Sequence, residues 1–148
     1  MIDRWNAWIA TFDACVADDE WDRLKPFLTD DVIYAVTGVP IACEIRGRDA
    51  VIAGFARSIR NFDHKLGSRE WYGVGVRAHA PNAITAQAMV VYRPVGSPMI
   101  SFAAHGFWMF RGDQICLMTD VYDAEEIDAQ AALALLEQSG GALDPSYV

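Results

Sequence analysis

Cysteine is scarce in this chain, and its placement rules out a framework. Cys15, Cys43 and Cys116 are odd in number, far apart and never in a CxxC pair. That argues against a disulfide scaffold and against a zinc site, so reduced thiols and no metal are expected. Positive charge is also short: 12 Lys and Arg stand against 20 Asp and Glu, for a net charge of -8. So acidic a chain is repelled by phosphate backbones, and no nucleic-acid partner is expected. Arg46, Arg48, Arg57, Arg60 and Arg69 read as a solvated face. No apolar run approaches the roughly 20 residues of a membrane helix. The start shows no cationic stretch leading into an apolar one. No membrane association and a cytoplasmic location are therefore expected. Repeats, linkers and low-complexity segments are missing as well.

Apolar and aromatic side chains are abundant. Hydrophobic residues make up 53% of 148, with five Trp, seven Phe and five Tyr. That length suits one domain, with a core over about residues 3–138 and a tail over 139–148. Such richness exceeds what a solid core needs, so part of it is expected to line a pocket or a subunit contact.

Trp5, Trp8, Ile9, Phe12 and Val16 recur at helical spacing, with Asp3 placed to cap them and Asp18-Asp19 to end them. Trp21, Leu24 and Leu28 predict a second, short helix limited by Pro26. Val32 to Thr37 predicts a strand after a turn at Asp30-Asp31, and Gly38 to Cys43 a loop. Ile52, Phe55, Ile59 and Phe62 mark a third helix beginning near Asp49. The pattern then changes to period two. Trp71–His79, Ala83–Arg93, Ile100–Arg111 and Gln114–Tyr122 predict four strands joined by short turns. Asp123 is placed to cap a final helix, with Glu126 three residues on. The result is an α+β layout: three helices, a curled antiparallel meander and a C-terminal helix.

The Trp21–His64 stretch, from WDRLKPFLTDDV to SIRNFDH, resembles the SnoaL-like branch of the nuclear-transport-factor-2-like superfamily. Gly112-Asp113-Gln114-Ile115 followed by Asp120-Val121 adds to the similarity. The resemblance implies a cystatin-like cone, a curved antiparallel sheet and helices around one deep pocket. It implies an acid/base aspartate near the end of the last strand, which falls on Asp120. HKLGSREW and EWDRLKPFL also resemble scytalone dehydratase, which puts a pocket histidine at His64. Other matches are partial. Ketosteroid isomerase has a carboxylate where this chain has Tyr34-Ala35-Val36, and limonene epoxide hydrolase has an Arg-x-Asp pair without a counterpart here.

Asp120 lies in ICLMTDVYD, a carboxylate in an otherwise apolar strand, on a face with Cys116, Met118 and Tyr122. Desolvation would raise its pKa into a range suited to proton transfer. His64 is the second catalytic candidate because imidazole titrates near neutrality. Tyr34 and His105 are candidate hydrogen-bond donors to substrate. Trp21, Phe55 and Trp108 are candidate apolar contacts, together with Trp8, Phe12, Ile59, Trp71 and Phe102 as wall or core. Asp123 is explained by capping alone.

Two readings fit. One is an acid/base enzyme without metal or organic cofactor: a cyclase, isomerase or dehydratase acting on a hydrophobic, oxygenated small molecule. The other is a non-catalytic binding or protein-interaction module of the same fold. The small subunit of a ring-hydroxylating oxygenase ranks behind both. Each suggests a homodimer.

Overall fold

A computed structural model describes residues 1–38, 40–122, 127–141 and 148. Helix α1 (Ile2–Asp18) buries Trp5, Trp8 and Cys15 along one stripe. Asp3 lies inside its first turn, where it favours the helix dipole; no side chain caps this end. Asp19 ends the helix in the left-handed conformation (φ 65°), its N–H bonded to the Cys15 carbonyl. The expected second helix is a 3-10 segment, Trp21–Phe27. Pro26 sits within it and supplies no N–H, so an α-helical ladder cannot run through.

Strand β1 (Leu28–Thr37) starts four residues before the expected Val32. Asp30 and Asp31 belong to it, at an irregularity against its neighbour between Leu28 and Ile33. There they point out to Arg48 and Arg111. Part of the expected loop is a short strand, β2 (Cys43–Arg46), paired antiparallel with β1. Helix α2 (Arg48–Asn61) follows and buries Val51, Ile52, Phe55 and Ile59. A 3-10 turn, Asp63–Lys65, leads into the meander. Its strands are β3 (Ser68–His79), β4 (Ala83–Arg93), β5 (Ile100–Arg111) and β6 (Gln114–Val121). Helix α3 (Ile127–Gln138) packs on β5. The expected caps Asp123 and Glu126, and most of the tail, lie outside the described residues.

The sheet order is β2-β1-β6-β5-β4-β3. One pairing departs from an antiparallel sheet: β1 and β6 run parallel. The sheet is thus mixed, because the chain returns to β1 only after the whole meander. Bulges bend it. On β3 the pairing steps from Tyr72 to Gly75 while β4 moves from Met89 to Gln87. On β6 it steps from Ile115 to Leu117 while β5 moves from Phe110 to Met109. Helices α1 and α2 pack on the sheet through Trp5 against Trp108 and Phe55 against Tyr34. At the β1 end the space is solid, with Leu24, Leu28, Val32, Val51 and Ile115 at most 1% exposed.

Candidate functional site

Toward the meander the same space opens into a cavity of about 400 Å³. Helix α1 supplies Trp5, Trp8 and Phe12, and α2 supplies Phe55 and Ile59. From the sheet come Val90, Phe102, Ala104, Trp108 and Met118. The rings interlock edge to face: Trp5 with Trp108 at 5.4 Å, Phe12 with Phe55 at 5.3 Å, Tyr34 with Phe55 at 4.9 Å. Gly106 is required by this packing. A Cβ there would meet Cη2 of Trp108 at 2.3 Å, so the indole occupies the space beside the bare backbone.

Asp120 stands in this wall, paired with Gly106 on β5 and Val36 on β1. The Tyr34 hydroxyl donates to its Oδ2 at 2.7 Å. The surface that Asp120 retains faces the cavity. Desolvation pushes its carboxyl from 3.8 up to about 6, against the opposing pull of the Tyr34 bond and of the Arg69 charge. Oδ1 accepts no hydrogen bond from the described residues and is available to a ligand.

A second polar group lines the cavity. The Tyr92 hydroxyl and Arg69 Nη1 both donate to Asp63 Oδ1, each at 2.9 Å. Arg69 and Tyr92 are direct partners across β3 and β4, so register alone brings them together. Burial, then Asp63, push the Tyr92 hydroxyl well above its ordinary value, which keeps it a donor. Burial pulls the Arg69 guanidinium down, but Asp63, Tyr92, Tyr122 and Asp13 outweigh that and hold it above its ordinary value. It remains a cation.

Several expected residues stand elsewhere. His64 is exposed and does not line the cavity; its neighbour Asp63 turns inward instead. The tight 3-10 turn at the end of α2 buries one of two adjacent side chains, and it buries the carboxylate that meets Arg69. Trp21 is buried but packs behind Phe12, at 5.5 Å, with its indole N–H on Asp19. It belongs to the core and not to the cavity wall. His105 is exposed, on the alternation opposite Phe102, Ala104, Gly106 and Trp108. It nevertheless lines the cavity, as expected, beside its partner Gln87. Cys116 falls at the β6 bulge, so Ile115 and Met118 turn to the core and Cys116 leaves the face of Asp120. Arg69, read as solvated, keeps only 14% of its side-chain surface exposed and lines the cavity. Tyr34, Phe55 and Trp108 line the cavity with Asp120. Among the described residues no group of three His, Cys, Asp or Glu side chains is placed to hold a metal ion. No described helix is long and apolar enough to cross a membrane.

No family model matches the chain, and no curated protein matches it in sequence. Solved structures do match in shape. A "putative polyketide cyclase" from Xanthomonas campestris pv. campestris is 21% identical, with 86% of this chain and 96% of that one covered and a TM-score of 0.61. A nuclear-transport-factor-2-like protein from Anabaena variabilis is 14% identical over 84% and 90%, with a TM-score of 0.66. A de novo designed protein with a curved β-sheet is 12% identical over 93% and 98%, with a TM-score of 0.59. At these identities the likeness is one of fold. The chain has the nuclear-transport-factor-2-like cone, a fold that natural and designed chains share.

Proposed function

We propose that this protein is an acid/base enzyme, independent of metal and organic cofactor, acting on a hydrophobic, oxygenated small molecule. The reading rests on one observation: Asp120 lies in an aromatic cavity, bonded to Tyr34 through Oδ2, with its pKa near 6. At neutral pH such a carboxylate is ionised and can accept a proton at Oδ1. Its conjugate acid is still strong enough to return it. Tyr34 orients the carboxylate and steadies its charge. A proton taken next to a carbonyl and returned elsewhere gives isomerisation; loss of a neighbouring hydroxyl gives dehydration; attack on a second carbonyl gives cyclisation. The cavity, at about 400 Å³, lies within the range of small-molecule sites and suits a compound of two or three rings.

Deuterium exchange tests this reading without knowledge of the natural substrate. In D2O the protein should speed exchange next to the carbonyl of bicyclic ketones such as 2-tetralone, followed by NMR. Asp120→Asn should slow that exchange by about 100-fold or more while ligand affinity survives. Exchange that is unaffected by the substitution would rule out the role.

The exposed position of His64 favours a second reading, a binding module without turnover. Ligand binding with no exchange in wild type would select it. The expected homodimer is retained as a proposal and is tested by light scattering coupled to size exclusion.

A further inference from the structure

We propose that Arg69 is the oxyanion-binding residue of the cavity, and that the ligand is an aromatic or polycyclic compound with an acidic hydroxyl. A phenol or stabilised enol would place its oxygen against the guanidinium as the anion. This rests on reading Asp120 as the acid/base group and names the substrate class that group serves.

Arg69 is the one Arg or Lys among the described residues that line the cavity. Its bonding is incomplete for a purely structural ion pair. A guanidinium carries five N–H donors in a planar fork, and buried Arg–carboxylate pairs tend to be bidentate. Here Nη1 alone reaches Asp63, whose Oδ1 is shared with Tyr92. Nη2 stands 4.0 Å from Asp13, beyond hydrogen-bond reach. Nε and the rest of Nη2 therefore have no acceptor among the described residues, although the side chain is only 14% exposed. The fork is held in place by Asp63 and by the face of Trp71, 5.3 Å from the guanidinium carbon.

The surrounding charges define the ligand. Asp63, Asp13, Tyr92 and Tyr122 face Arg69 from four segments of the chain, and Asp120 lies within reach of its field. A phosphate dianion would meet three carboxylates and one cation. A delocalised monoanion formed inside the cavity adds no charge at all. When a ligand O–H breaks, the electron pair stays on its oxygen at Arg69 and the proton passes to Asp120. When a C–H breaks, the pair moves through the enolate to the same oxygen and the proton again goes to Asp120. In both cases negative charge moves from the carboxylate to a point beside a fixed cation.

Binding of 4-nitrophenol tests the assignment, because absorbance separates its neutral and ionised forms without turnover. At a pH just below its pKa in water, wild type should bind it as the phenolate. Affinity should exceed that for 4-nitroanisole by about tenfold or more, the scale of a buried charge-assisted hydrogen bond. Arg69→Gln should abolish both effects and leave 4-nitroanisole binding within about threefold of wild type, a small change on the same scale. Asp120→Asn should keep or strengthen phenolate binding, since a competing charge is gone. Deuterium exchange unaffected by Asp120→Asn, with phenolate binding intact, would thus sink the acid/base reading alone. Binding of neutral 4-nitrophenol, no binding at millimolar concentration, or unchanged ionisation in Arg69→Gln would each overturn the oxyanion site. The first two need only wild type, so a variant that fails to fold does not shield the proposal.

Discussion

At the scale of single residues, Asp120 carries a cost that its stability should reveal. Its carboxyl titrates near 3.8 in the unfolded chain and near 6 in the folded one. Below both values it is neutral in both states and burial costs nothing extra. As pH rises through that interval the unfolded chain ionises first, and the folded state loses stability. Above pH 6 the loss is complete, up to about 3 kcal/mol at about 1.4 kcal/mol per pKa unit. Asp120→Asn should therefore match wild type near pH 3.5 and exceed it above pH 6, as measured by urea unfolding at the two pH values. Tyr34→Phe should act in the other direction on the titration itself. It removes the bond that favours the carboxylate, so NMR titration should place Asp120 above its wild-type value. Asp120 was readable in the sequence because a lone carboxylate interrupts an apolar strand. Asp63 and Arg69 were not. Their burial depends on a tight turn choosing between Asp63 and His64, and on register placing Tyr92 opposite Arg69.

At the scale of elements, period-two and helical spacing located α1, α2 and the four meander strands closely. Ala83–Arg93 and Ile100–Arg111 coincide with β4 and β5. Spacing failed where a bulge adds a residue, since each bulge reverses the alternation beyond it. Hence Cys116 leaves the Asp120 face, and Val74, within the β3 bulge, joins the cavity wall. The parallel β1–β6 pair was equally hidden, because local pattern says nothing about which strands become neighbours. Gly106 shows how closely β5 is fitted to its helices. Trp108 needs the bare backbone at Gly106 and makes a T-shaped contact with Trp5. Gly106→Ala should push the indole into the cavity. The expected result is a loss of about 1–3 kcal/mol on unfolding, with weaker ligand binding and altered tryptophan emission.

At the scale of the whole molecule, the cone joins a solid end to a hollow one, and the two should answer mutation differently. Leu28 is fully buried in the solid end, between β1, β6 and the Trp21–Phe27 segment. Leu28→Ala leaves a void that close packing cannot fill, so about 2–5 kcal/mol should be lost. Ala104 lies on β5 among the cavity-lining side chains. Enlarging a residue in a filled core forces neighbours off their rotamers, but here there is open space to receive three more carbons. Ala104→Leu should therefore change unfolding free energy by less than about 1 kcal/mol, or raise it, since apolar surface is covered. The same change removes room that a ligand needs. Chemical denaturation and titration with 4-nitroanisole or 2-tetralone should show stability and binding parting company: stability kept, affinity lost. A large destabilisation by Ala104→Leu would mean that the sheet closes on its helices there and that the space is too small to admit a ligand.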